Sequence, residues 1–418
     1  MSSDLTAHSD QRTSRSGPTT VALVGAEFGW GSSGKLSAVL SALRDRPVPP
    51  LRFVGLASGL GRPLLAEHAV DAWHDLPADP DRLAPAVREL VRSQGVRAAV
   101  VVLDGAVATA LLAAGVPTVF VDSLPFLWSE GDRAALPLDA TVYCAQQSVE
   151  LPPECLALLA DARALRWVEA VIARPRTPEP TPDGAGRSTR RPYRRALISL
   201  GGLRAPRLGD PGHYPRLVVP AALEALVAHG VDEVHIAGNL PADLAGRLVD
   251  ASIAPPRTTT GPLGHGAFLE RLADSDVLLT SPGLTTLLEA GGLGVPTVCL
   301  PPQNLSQIFN GRYHSQALGA PVRVRWPKDV LVEDDALALR AEGEDHALAH
   351  IYDSIGRAAV DDDHRGVRHA LRDEVLEALR RATAVDDWGA LTTAIGTGGA
   401  AQVADALLDV LSTPGRPA

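Results

Sequence analysis

Two runs of short, continuously apolar segments alternating with helical stretches constrain this chain more than any other feature. The first reads Val21–Gly25 (VALVG), a helix from about Ser33 to Arg44, Leu51–Leu56, and a helix across Pro80–Gln94. It continues through Ala98–Leu103 (AAVVVL), a helix over Ala106–Ala114, and Thr118–Val121 (TVFV). Strands apolar on both faces belong to a parallel sheet covered by helices on each side. The pattern breaks at Ala173–Arg195, where seven arginines oppose only Glu179 and Asp183 among several prolines. That composition reads as a solvated linker, with a basic docking arm as the other reading. Alternation restarts with Ala196–Leu200 (ALISL), a helix over Val218–His229, and Glu233–Ala237 (EVHIA). Val277–Thr280, a helix from Pro282 to Leu293, Pro296–Leu300 (PTVCL) and a last helix near Ala400–Leu411 follow. The expectation is two consecutive doubly wound α/β halves. Their ligands should sit at the carboxyl ends of the strands. The expected divisions are a tail at 1–18, a first domain at 19–172, the linker at 173–195, a second domain at 196–395, and a helix with its tail at 396–418.

Composition narrows the partners. Across 418 residues, 39 basic side chains face 49 acidic ones, a net charge of −10. This argues against a general binder of nucleic acid or of anionic membranes. No apolar run approaches the roughly 18 residues of a membrane span. The polar first segment lacks a signal-peptide core, and the three cysteines are too scattered for a disulfide framework or a metal site. A reducing cytoplasm is the expected compartment, with a homodimer left open. The histidines show no metal-ligand spacing and read individually as surface or core residues. Only Lys35 and Lys328 are lysines in an arginine-biased chain, so each is worth attention.

The most specific segment runs from Ser281 to Pro296, SPGLTTLLEAGGLGVP. Ser281 suits an N-cap and Pro282 a first helical position. Gly283 leaves an anion free access to the amides of that helix start, Leu284 included, while Thr285 and Thr286 add hydroxyl donors. Glu289, about two turns in, is placed to accept bonds from a ribose diol. A capped helix packed on a sheet is the purely structural alternative.

The continuation, Pro301-Pro302-Gln303-Asn304-Leu-Ser306-Gln307-Ile-Phe-Asn310, completes a pattern that resembles the donor half of GT-B glycosyltransferases, above all lipid II N-acetylglucosaminyl and macrolide glycosyltransferases. The resemblance implies two Rossmann-like domains facing a central cleft. It implies diphosphate at Gly283, ribose at Glu289 and sugar hydroxyls at Gln307, with Gln303 and Asn304 as further donor-binding residues. Ser306 stands where the family has an aspartate of an Asp-Gln pair, which places the usual hexose contact in question. Gly201 and Gly202 match the family's glycine turn facing the diphosphate. Thr260–Leu263, with Leu263 as a donor contact, and His265–Phe268 fall where the family closes over the base.

The N-terminal loop admits two readings. Gly29-Trp-Gly-Ser-Ser-Gly34-Lys35 fits GxxxxGK, and Asp104 ends a strand that passes for a Walker B. However, Leu36 replaces the Mg²⁺-binding hydroxyl and Gly25–Phe28 separates the motif from its strand. In the GT-B reading the loop faces the cleft, where Gly31, Ser32, Ser33 and Lys35 neutralise the donor's charge. Glu27 and Lys35 are its acid–base candidates. A local, purely structural role for Glu27 stays open. Asp122, directly after a strand, precedes Phe126 and Trp128 in VDSLPFLW. Together with Phe28 and Trp30, these aromatics read as a flat acceptor pocket, or else as a hydrophobic loop burying its rings.

GAEFGWGSSGK, VDSLPFLW and the 281–307 segment together resemble the cytosylglucuronate synthase group. That resemblance implies inverting transfer of glucuronic acid from UDP-glucuronate, a substrate rather than a cofactor, to N1 of cytosine or 5-hydroxymethylcytosine. No metal is then required, because amides and hydroxyls neutralise the diphosphate. The base is Glu27 or Asp122, with Glu27 favoured and Asp122 orienting the acceptor. Another natural-product glycosyltransferase and a UDP-sugar 2-epimerase remain as alternatives, with a P-loop nucleotide hydrolase last.

Overall fold

The computed structural model describes residues 17–44, 46–56, 59–173, 193–205, 208–249, 253–361 and 364–413. Among them the strands are β1 (Thr19–Gly25), β2 (Leu51–Leu56), β3 (Val70–His74), β4 (Val96–Val102), β5 (Thr118–Asp122), β6 (Val142–Gln146), β7 (Leu165–Val168), β8 (Arg195–Gly201), β9 (Glu233–Gly238), β10 (Arg257–Gly261), β11 (Val277–Thr280) and β12 (Thr297–Cys299). The helices are α1 (Gly31–Arg44), α2 (Pro80–Gln94), α3 (Gly105–Ala113), α4 (Pro153–Leu159), α5 (His213–His229), α6 (Ala242–Leu248), α7 (His265–Asp274), α8 (Leu284–Gly292), α9 (Leu305–Ala317), α10 (Glu333–Ala338), α11 (Glu344–Val360), α12 (His364–Ala382), α13 (Ala390–Ile395) and α14 (Gly399–Ser412).

The strands form two sheets, ordered β3-β2-β1-β4-β5-β6-β7 and β10-β9-β8-β11-β12, with every pair parallel. Both halves are therefore doubly wound, as the alternation predicts. Strand order reverses between β1 and β4 in the first sheet and between β8 and β11 in the second, and such switch points open crevices for ligands. The strands β3, β6, β7 and β10 and the helices α4, α6, α7 and α9 to α13 are additions to the sequence reading. The edge strands β3 and β10 show partial exposure along their length, which is why they lack a continuous apolar run.

The last helix does not extend the second half. Val403, Ala404 and Leu407 of α14 share a core with Val21, Leu36 and Val39 of the first sheet and α1. The Gly398 amide donates to Glu169 Oε2 at 2.6 Å, and the Gly399 amide to the Ala170 carbonyl at 3.2 Å. A Cβ on Gly399 would lie 2.0 Å from the Glu169 carbonyl, so only glycine permits this crossing. The tail expected at 1–18 and the linker at 173–195 fall almost wholly outside the described residues. At the linker's end, Tyr193 stacks on His229 with ring centroids 5.4 Å apart, and Arg195 already opens β8. Among the described residues, no helix is long and apolar enough to cross a membrane.

Candidate functional site

A cavity of about 610 Å³ lies between the two sheets' carboxyl edges, lined by loops from both switch points. The loop after β1 meets the turn after β8 backbone to backbone: the Gly29 amide donates to the Arg204 carbonyl at 2.9 Å. Gly29 has φ +63°, and a Cβ on Gly202 would sit 2.9 Å from the Gly29 Cα. Glycine at both positions lets the halves approach this closely. The same contacts weaken the P-loop reading, because they commit Gly29 to the opposite half instead of a phosphate nest.

On the second half, α8 starts at Leu284 with Gly283 as its N-cap. This corrects the expectation that Ser281 caps the helix and Pro282 opens it. The Gly283 amide closes a turn on the Ser281 carbonyl at 2.6 Å, which holds the Ser-Pro-Gly segment outside the helix. Ser281 Oγ instead accepts from Gln303 Nε2 at 2.8 Å. The unpaired first-turn amides of α8 remain, without a side chain at Gly283 to cover them, beside the cavity. Ser281, Gly283, Leu284, Thr285, Thr286, Glu289, Gln303, Asn304 and Gln307 all line it, as do Gly201, Gly202 and Leu263. Asn304 caps α9: its Oδ1 accepts from the Gln307 amide at 3.0 Å and from Ser306 Oγ at 2.8 Å. Gln307 Oε1 accepts from the Gln303 amide at 2.9 Å. With these oxygens engaged, Asn304 and Gln307 offer a ligand their NH₂ donors, and Ser306 is spent on the cap.

Glu289 is almost wholly buried, and His265 Nε2 lies 2.8 Å from its Oε1. Burial pulls the His265 pKa down, but the Glu289 carboxylate prevails and leaves it above the ordinary imidazole value. Lys35, on α1 of the opposite half, donates from Nζ to Thr285 Oγ1 on α8. Burial lowers the lysine to about 8, against the pull of Glu289. A cation, helix-terminal amides and two threonine hydroxyls therefore converge on one end of the cleft, beside a carboxylate. This arrangement suits a diphosphate with a neighbouring diol.

The first half supplies a different chemistry. Glu27 lines the cavity, and its Oε1 is buried without a hydrogen-bond partner among the described residues. Beside it, Asp104 follows β4 and caps α3 through the Val107 amide at 3.0 Å. Burial and the Glu27 charge push Asp104 above the usual carboxylate range, against that bond. Leu103 just before it holds φ +62°, a costly conformation for a leucine. Phe28, Trp30, Gly31, Ser32, Trp128, Phe120, Leu124 and Leu127 also line the cavity.

Three expectations are corrected here. Asp122 is fully buried and does not line the cavity: its carboxylate accepts from Trp128 Nε1 at 2.7 Å, Tyr143 Oη at 2.9 Å and the Leu124 amide at 3.0 Å. Burial raises it to about 6 against those bonds. Its carboxylate holds the Trp128 loop from behind the cavity wall. Phe126 is likewise core. Its ring lies 5.6 Å from Phe309 and 5.3 Å from Tyr313 of α9, joining the halves rather than lining the pocket. Phe126 has no polar group to keep in reach of a partner, whereas the Trp128 indole N–H is held by Asp122 and leaves its ring at the cavity wall. Ser33 turns away from the cleft, toward Gly61, where an added Cβ would meet its hydroxyl.

Sequence reasoning passed over Asp104 as a cleft residue and His265 as a partner of Glu289. It also missed Asn310, Arg204, Glu344 and Tyr352, all cavity-lining. Asn310 had a legible signal: it lies three residues beyond Gln307 and six beyond Asn304, on one helix face. Its Oδ1 is buried without a partner among the described residues.

No protein-family model matches the chain, and no curated protein matches it. Solved structures do. A Methanocaldococcus jannaschii UDP-GlcNAc 2-epimerase in complex with UDP-GlcNAc and UDP superposes with a TM-score of 0.54 at 11% identity, covering 95% of this chain and 100% of that one. Os79 from O. sativa in complex with UDP gives 0.53 at 14%, covering 93% and 100%. The glycotransferase of kitacinnamycin gives 0.51 at 15%, covering 94% and 99%. At these identities the likeness establishes the fold: two Rossmann-like domains in the GT-B arrangement.

Proposed function

We propose that the chain is a UDP-sugar glycosyltransferase that moves glucuronic acid from UDP-glucuronate to N1 of cytosine or 5-hydroxymethylcytosine, with inversion, as a soluble step of nucleoside-antibiotic assembly in the cytoplasm. The observation that carries this reading is the division of one cleft into two chemistries. Amides, hydroxyls and Lys35 surround Glu289 at one end. Glu27, whose Oε1 is buried without a partner among the described residues, stands with Trp128 and Phe28 at the other. As the base's N1 attacks the anomeric carbon, its proton passes to Glu27 and the carbon–oxygen bond to the diphosphate breaks. Charge building on the departing UDP meets the α8 amides, Thr285 and Lys35. Asp104, which also lines the cleft beside Glu27, is the second carboxylate placed for the acid–base role.

The solved UDP-GlcNAc 2-epimerase with the same fold favours a second reading, in which Glu27 and Asp104 move protons on a UDP-sugar alone. The apolar wall of Leu124, Leu127 and Trp128 supports a second substrate and hence transfer. Incubating the protein with UDP-glucuronate and other UDP-sugars, with and without cytosine, tests both. The transferase reading requires UDP and a new glycoside mass only when the base is present. Isomerisation of a UDP-sugar without an acceptor would replace it with the epimerase reading.

A further inference from the structure

A buried polar chain crosses between the halves beside the cleft. Arg44, at the end of α1, reaches His68 Nδ1 at 3.0 Å, and His68 Nε2 lies 2.8 Å from Ser37 Oγ. Ser37 Oγ lies 2.8 Å from His265 Nδ1, and His265 Nε2 lies 2.8 Å from Glu289 Oε1. Ser37, His68, His265 and Glu289 are all buried.

The proton directions follow from the two ends. A guanidinium only donates, so His68 Nδ1 accepts and its Nε2–H donates to Ser37 Oγ. Burial lowers the His68 pKa, consistent with this neutral form. The Ser37 hydroxyl then donates to His265 Nδ1, which puts the His265 proton on Nε2, facing Glu289. If His265 gains a second proton on Nδ1, Ser37 Oγ accepts from both rings and turns its hydrogen toward Glu67 Oε1, 3.4 Å away. In both states the Nε2–H to Oε1 bond survives. The remaining neutral tautomer would set an imidazole lone pair against a carboxylate oxygen.

We propose that His265 is the positioning residue of the donor's ribose subsite: its Nε2–H occupies Glu289 Oε1 and turns Oε2 to the ribose diol, in an orientation dictated by Ser37 and His68 of the opposite half. This rests on the reading of Glu289 as the ribose acceptor. The nucleoside end of the donor site then draws its geometry from both halves. A carboxylate free to rotate would form the same bonds only after paying for its ordering.

Calorimetric titration with UDP and with 2′,3′-dideoxy-UDP isolates the diol, since both carry the same base and diphosphate. A hydrogen bond to a charged group implies a wild-type preference for UDP of roughly tenfold to a hundredfold. His265→Ala should reduce that preference below about threefold while both ligands still bind, and His265→Gln, which keeps a donor at similar reach, should restore it. Ser37→Ala, acting from the other half, should lower it too. If Glu289→Ala erases the preference while His265→Ala keeps it in full, the positioning role is overturned and the ribose reading stands. If the wild type shows no preference, the ribose reading falls and takes the proposal with it. Should His265→Ala fail to fold, an unchanged preference in Ser37→Ala overturns the proposal.

Discussion

Replacing Glu27 by glutamine separates chemistry from architecture. The side chain lines the cavity, and its Oε1 has no partner among the described residues that the substitution would strip. A buried acceptor without a partner is costly in the free protein and waits for a donor from a ligand. The amide has the same shape and no charge, so the fold should lose little: within about 0.5 kcal/mol, the range of substitutions that break no interaction. Catalysis should lose much more. A general base contributes roughly 10²–10⁴-fold, which is about 2.7–5.4 kcal/mol of barrier. Initial rates of UDP release from UDP-glucuronate with cytosine at saturation give kcat; calorimetry gives UDP affinity; a thermal melt gives stability. The expected pattern is a kcat lower by that factor, with UDP affinity and melting temperature close to wild type. A near-normal kcat would refute the assignment and pass the role to Asp104, whose Asn variant should then carry the loss. A melting temperature that drops with kcat would instead make Glu27 structural.

Three further outcomes follow from the same geometry. Lys35, lowered to about 8 by burial, is charged below that value and loses its charge as pH rises through it; kcat/KM should therefore decline above about pH 8, and Lys35→Gln should lack that limb in a pH–rate profile. Asp122 has its folded pKa raised from 3.8 to about 6, so the native state binds the extra proton between those values and stability falls as pH rises from about 4 to 6, by roughly 3 kcal/mol at most; Asp122→Asn should flatten that slope in denaturant titrations while keeping at least a third of kcat, and a catalytic collapse would return Asp122 to the chemistry. With amides, hydroxyls and Lys35 converging where the diphosphate is proposed to bind, EDTA should leave turnover intact; its abolition and rescue by Mg²⁺ or Mn²⁺ would contradict that placement.

What the sequence by itself determined is whatever repeats or caps locally. Continuous apolar strands such as AAVVVL separated by helices dictate parallel sheets, because only a sheet covered on both faces buries them. The turn glycines and the segment from Ser281 to Gln307 locate the strand ends where ligands gather, and most donor residues named from that segment do line the cleft. Local pattern failed where direction rather than position mattered. Phe126 and Trp128 are two residues apart in one loop, yet one plugs the seam against α9 and the other faces the cavity. Asp122 ends β5 and Asp104 follows β4, but only the order of β1, β4 and β5 sets Asp104 beside Glu27 and leaves Asp122 to Tyr143 and Trp128. The tertiary structure alone decided the contacts across the cleft, Lys35 with Thr285 and Ser37 with His265. Each joins residues more than two hundred positions apart. Their pairing depends on how two independently wound sheets face each other, and no periodicity within either half encodes that.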